Sequence, residues 1–162
     1  MSKFKPLPPR EAILREFDYD PATGLFLHAY YKCGRAVRGA VAGTVNRKGY
    51  RMLRIRNDVI FIASRAAWLI VTGNDPVDHI VDHVDRDTLN NAFSNLRLAT
   101  DNTNQWNREA RGYHKKGNRY VACIRHYGKL IHIGTFDTAE EAQSAYREKA
   151  RELRGEFTPT AY

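Results

Sequence analysis

The sequence predicts an α+β fold in two small domains, residues 1–108 and 109–162, the first carrying a β-rich N-terminal extension. Three observations lead there. Short stretches such as YRMLRIR and RYVACIRH alternate polar and apolar residues at the period of half-exposed strands, and short helical stretches stand between them. The pattern changes after Arg108, where a strand–turn–strand–helix unit begins. Charge divides the chain in the same way. Residues 1–78 hold 13 Lys/Arg against 7 Asp/Glu, residues 79–107 hold 2 against 4, and residues 108–154 hold 11 against 6. An acidic island thus lies between two basic flanks.

Along the chain, Met1–Pro9 is rich in Pro and Lys and reads as loose. Glu11–Phe17 reads as a short helix, DYDPATG (Asp18–Gly24) as a turn cluster and Leu25–Tyr31 as a strand. Gly34–Gly43 has three glycines and two arginines, the composition of a loop. Gly49–Asn57 reads as a strand with its arginines on one face. Val59–Ala63 is its partner across a turn at Asn57-Asp58. Ser64 is placed to cap the helix RAAWLIVT, which Gly73 ends, with Trp68, Leu69 and Val71 on its core face.

Beyond a linker near Asn107–Gly112, Arg119–His126 and Leu130–Phe136 alternate on either side of a Tyr127-Gly128-Lys129 turn. Thr138 opens a helix with Glu140 and Glu141 in its first turn and Lys149, Arg151 and Arg154 toward its end, as the helix dipole favours. Ala139, Ala142, Ala145, Tyr146 and Ala150 make a mostly small stripe that lets this helix lie close on a sheet. Gly155 stops it.

The bulk numbers narrow the partner. Net charge is +8 and the pI about 9.7 over 162 residues, which points to a polyanion, nucleic acid before an anionic membrane surface. No run of 18 apolar residues exists, and MSKFKPLPPREA lacks the apolar core of a signal peptide, so a cytoplasmic protein is expected. Cys33 and Cys123 lie far apart with no CxxC, which argues against a zinc knuckle and for reduced thiols.

The most informative stretch is VDHVDRDTLNNAFSNLRLATDNTNQWN, Val81–Asn107. Asp82 stands beside His83, and six asparagines follow: Asn90, Asn91, Asn95, Asn102, Asn104 and Asn107. Asparagine suits neither helix interiors nor strands, so this density calls for a reason. Hydrolysis of a phosphodiester supplies one. Attacking water must lose a proton, and an imidazole is a suitable base near neutral pH. The phosphate and leaving oxygen need a cation, and a hard cation takes carboxylate and carboxamide oxygens. Asp82 can supply one ligand and His83 the base, although neighbours on a strand point to opposite sides unless it twists. A second oxygen must come from elsewhere, from Asn104 or Asn107 on a helix starting near Thr100 or Asp101. Asp85 and Asp87 fit turn positions better than ligand positions, and His79 has the wrong offset.

These residues resemble the HNH endonucleases of phage or homing type. The resemblance runs over about residues 15–108 and is carried by Val81-Asp82-His83, the RDTLNN loop, Ser94-Asn95-Leu96-Arg97 and Ala99-Thr100 through Asn104-Gln105. His83 to Asn95 is twelve positions and Asn95 to Asn104 nine, the H-N-N version of the motif. The resemblance implies a ββα-metal core and a hydrolase acting on DNA with one Mg2+ or Mn2+. It implies His83 as general base, Asp82 and Asn104 as metal ligands, and Asn95 as the residue that bonds across the loop to fix His83. Asn90 and Asn91 would shape that loop. It also implies a phage-encoded protein acting in the host cell. Two positions depart from the pattern: Asn104 replaces a frequent histidine, and Arg86 replaces a common glycine.

Residues 111–157 resemble the AP2 (integrase-like) DNA-binding domain, most specifically in GKLIHIGTFDTAEEAQSAY. That family implies a three-stranded sheet and one helix, the sheet entering the major groove of double-stranded DNA, which is about 12 Å wide. The expected contacts are Arg119, Arg125, Lys129 and His132, with Lys115 and Lys116 on phosphates. Arg51, Arg54 and Arg56 of the N-terminal part add to the grip. The rival reading is a DNA-binding regulator whose HNH site is vestigial.

Overall fold

The computed structural model describes residues 5–31, 37–56, 59–108 and 110–158. Cys33, the Asn57-Asp58 turn, and the starts of the N-terminal head and of the Gly-rich loop lie outside them. The described residues form four α-helices and several small sheets, within two compact units, Met1–Thr100 and Asp101–Tyr162. No helix among them is long and apolar enough to cross a membrane.

The first unit opens with helix α1 (Arg10–Glu16) and the antiparallel pair β1 (Phe17–Asp20) and β2 (Leu25–His28). The turn between them follows from Asp20, whose side chain accepts from the Ala22 N–H and the Thr23 hydroxyl. Strands β3 (Thr44–Val45), β4 (Arg51–Arg54) and β5 (Ile60–Ile62) make an antiparallel sheet with β4 central. Helix α2 (Ala63–Thr72) follows at once. It is capped by backbone geometry at Ile62 and not by Ser64, which is buried in its first turn. Gly73 closes it with φ 77, a left-handed conformation that costs glycine little, its N–H donating to Leu69 O.

The core explains both the placement and a correction. Ile13, Phe17, Phe26, Leu53, Phe61, Leu69, Ile70 and the alanines of α2 (Ala63, Ala66, Ala67) bury together. The small face of α2 lets it approach the β4–β5 pair closely. Trp68 joins the core only in part, and Val71 is 43% exposed, contrary to the sequence expectation.

A second antiparallel pair, β6 (Ile80–His83) and β7 (Leu96–Ala99), closes the first unit. In sequence it leads straight into α3 (Asp101–Trp106), which belongs to the second unit. That unit continues with β8 (Tyr113–Lys116), β9 (Arg119–His126) and β10 (Lys129–Phe136), antiparallel with β9 central. The β9–β10 hairpin turns through Tyr127 (φ 44) and Gly128 (φ 79), both left-handed, as the tightest right-twisting hairpins require. Helix α4 (Ala139–Arg154) starts in a full capping box between Thr138 and Glu141. It buries Ala142, Tyr146 and Ala150 against Ile124, with Ile131 and Ile133 packed on the cluster.

The units divide at Thr100/Asp101, whereas the sequence pattern changes near residue 108. Side-chain packing accounts for this. Trp106 stacks on His126 with centroids 4.8 Å apart, meets Tyr127 edge-on at 5.2 Å, and lies under the Arg154 guanidinium at 5.7 Å. Asn107, expected near a linker, is buried.

Candidate active site

Asp82 and His83 sit at the end of β6, both buried, at 8% and 3% exposure. The β6–β7 register sets Asp82 opposite Arg97. Arg97 Nε donates to Asp82 Oδ2 at 2.9 Å and Nη2 lies 2.9 Å from the same oxygen, so an ion pair holds the carboxylate.

The loop from Val84 to Asn95 is tied by its carboxamides. Asn95 O accepts from the Val84 N–H, and Asn95 Oδ1 accepts from the Asp85 N–H at 3.0 Å. Asn95 Nδ2 donates to Asp85 Oδ1 and to Asn90 O. Asn90 Nδ2 donates to Asp85 Oδ2 at 2.7 Å, and the Asp87 N–H donates to Asp85 Oδ1. Partial burial works to raise the Asp85 pKa, but these bonds from Asn90, Asn95 and Asp87, with the nearby His83, outweigh it and leave the carboxyl below its ordinary value. Arg86 adopts φ 70, the left-handed region, and donates its N–H to His83 O. The glycine-like turn is therefore kept although the glycine is absent.

The imidazole itself is reached by Asn91, whose Oδ1 is 3.2 Å from His83 Nε2. Asn91 Nδ2 donates to Leu89 O at 3.1 Å, so the amide oxygen is the atom turned to the ring. A carbonyl oxygen only accepts. The contact is a hydrogen bond when His83 Nε2 carries the hydrogen, the tautomer in which Nδ1 is the basic nitrogen. Sequence reading expected Asn95 to fix backbone and ring alike. The Asn95 bonds run to Val84, Asp85 and Asn90, and Asn91 supplies the ring contact.

Among the described residues no three His, Cys, Asp or Glu side chains gather as a cage, so a zinc-type ligand set is not formed there. Asp82 offers a carboxylate next to His83, and the carboxamide of Asn104, half-buried on α3, belongs to the second unit.

The predicted DNA contacts divide by face. In the second unit, the register puts Lys116 and Arg119 opposite each other, pairs Leu130 with Arg125 and pairs His132 with Cys123. These residues alternate with Ala122 and Ile124, which α4 covers, so Lys116, Arg119, Arg125 and His132 share the face away from that helix. Lys115, opposite Tyr120, and Lys129, opposite His126, belong to the other face at the sheet margin. Tyr120 packs edge-on against Tyr113 at 5.7 Å. In the first unit the three arginines do not share a face. Arg51 is out of phase with Arg54 and folds back to Ala42 O. Arg54 and Arg56 are exposed and line a shallow cleft of about 380 Å³ with Tyr30 and Tyr31, two residues that alternation alone does not single out.

The sequence comparisons bear on this geometry. Residues 62–106 match the family model described as HNH endonuclease. This segment is similar to HNH endonuclease domains. It holds the buried Asp82-His83 pair, the carboxamide loop and α3. A protein of Acanthamoeba polyphaga mimivirus named as an HNH endonuclease is 41% identical over 95 residues, 55% of this chain and 50% of that protein. The chain thus spans about half the length of that relative. Protein 3.8 of Escherichia phage T7 is 29% identical over 100 residues, 56% of this chain and 82% of that protein. No solved structure matches the chain.

Proposed function

We propose that the protein is a metal-dependent DNA endonuclease, with residues 1–108 acting as the nuclease and residues 109–162 as an AP2-like module that recognises double-stranded DNA. The observation that carries the reading is the buried Asp82-His83 pair with the Asn91 amide oxygen 3.2 Å from His83 Nε2, a contact that favours Nδ1 as the basic nitrogen. Nδ1 takes a proton from water, the water oxygen bonds to phosphorus, and the bond to O3′ breaks with its electron pair leaving on that oxygen, which takes a proton from solvent. Products are a 5′-phosphate and a 3′-hydroxyl. Asp82 and Asn104 would hold one Mg2+ or Mn2+, which when bound neutralises charge on the phosphate and the leaving oxygen. Asn95 keeps the backbone after His83 in place through its bonds to Val84 and Asp85. Lys116, Arg119, Arg125 and His132 meet the duplex on the open sheet face. Lys115 and Lys129 serve phosphates at its margin, and Arg51, Arg54 and Arg56 add contacts from the first unit. The viral relatives agree with a phage-type enzyme acting inside a host cell.

A second reading draws on one observation. Arg97 already neutralises Asp82, as it would in a DNA-binding regulator that needs no ion. Plasmid relaxation with Mg2+, Mn2+ or EDTA, beside His83→Ala, separates the two. Metal-dependent nicking lost in the variant while binding persists is the expected result. Tight binding with no cleavage in any condition favours the regulator.

A further inference from the structure

Three contacts tie the β1–β2 hairpin to the segment that orients the imidazole. The Tyr19 hydroxyl donates to Asn91 O at 2.8 Å. The Phe93 N–H donates to Pro21 O at 2.9 Å. Gly24 lies so close to the Asn91–Ala92 backbone that a Cβ on it would occupy the same space. Asn91 is 1% exposed between these contacts and His83. A buried carboxamide with its oxygen on an imidazole and its NH2 on Leu89 O has one orientation that satisfies both ends. Its backbone is gripped by a hairpin about seventy residues earlier in the chain, which the HNH domain match does not include.

We infer that the β1–β2 hairpin is a working part of the nuclease site: through Tyr19, Pro21 and Gly24 it holds Asn91, and Asn91 keeps His83 in the Nε2–H form that presents Nδ1 to water. This rests on His83 being the base. Asn91 and Tyr19 are positioning residues, acting through the ring and touching no substrate. Burial, with Asp20 beside it, pushes the Tyr19 phenol up to about 12, so its O–H remains a donor through any ordinary assay range.

The tautomer is read directly, without metal, DNA or turnover, from the ring 15N shifts of His83 in the full-length chain at mildly alkaline pH. Wild type is expected as the Nε2–H form. Asn91→Leu removes the acceptor and should give a mixture of tautomers, with kcat lower by roughly tenfold to a hundredfold at unchanged KM. Asn91→Ala also removes the acceptor, should give the same mixture of tautomers, and carries the test if the leucine variant does not fold. Tyr19→Phe should lower kcat by less than Asn91→Leu. A wild-type ring in the Nδ1–H form, or an unchanged tautomer in Asn91→Leu, overturns the inference. A wild type that shows the expected tautomer but cuts no DNA leaves this inference standing and removes the nuclease reading instead.

Discussion

The β6–β7 and β9–β10 hairpins are both antiparallel, and both carry charged residues on a strand. They use them in opposite ways. Asp82 and His83 point into a closed environment where each has fixed partners, and Arg97 is nearly as buried as the carboxylate it holds. On β9, Arg119 and Arg125 stand in solvent. Their partners are an exposed Asp137 and backbone carbonyls near the turn. A buried pair loses its geometry only at high cost, whereas a solvated pair is readily exchanged for another anion. The first arrangement suits chemistry that needs one orientation, and the second suits a surface that meets a polyanion.

This contrast can be broken in order of size. Arg97→Ala leaves Asp82 buried without its guanidinium and should destabilise the chain by about 3–5 kcal/mol. Adding Asp82→Asn should recover much of that loss in a denaturant titration. Arg119→Ala with Arg125→Ala should leave thermal unfolding within about 0.5 kcal/mol of wild type. The slope of log binding constant against log salt should fall by about two if both meet phosphates. An equal loss of stability from Arg97→Ala and from the Arg119/Arg125 double substitution would erase the distinction.

Two smaller effects sharpen it. The Asp85 carboxyl is held below its ordinary value, so its bonds add stability above about pH 4, and that increment is lost as pH falls through the lowered folded-state value. The stability gap between wild type and Asp85→Asn should therefore narrow below about pH 4. Because the loop is largely solvated, the gap should not exceed about 1 kcal/mol. Melts across the acid range measure it. Arg86→Gly relieves a left-handed arginine, worth about 1–2 kcal/mol, against the greater freedom of glycine in the unfolded chain. A net gain of about 0.5 kcal/mol in the same melts is expected.

Much of this was legible in the residues because it depends on near neighbours. The β9 and β10 alternation, the Thr138 capping box, Gly73 as helix stop and the Asp82-His83 pair all depend on a few consecutive positions. Arg51 was equally legible, since counting places it out of phase with Arg54, and reading the arginines as one face overlooked that parity. Other features rest on contacts that spacing cannot show. Arg97 meets Asp82 only through the hairpin register, fifteen residues apart. Asn91 gains its role from Tyr19, seventy-two residues away. The unit boundary moved because one aromatic side chain, Trp106, found its partners on β9 and α4.

That last feature bears on how such proteins are reshuffled over generations. A crossover near residue 109 that exchanged the proposed DNA-reading part would strip Trp106 of His126, Tyr127 and Arg154 and leave an indole bare to solvent. A crossover at Thr100/Asp101 follows the compact units and transfers α3, Asn104 included, together with the sheet that supports it. Descendants formed at that seam would inherit the proposed DNA-reading sheet and one carboxamide of the proposed metal site from the same parent.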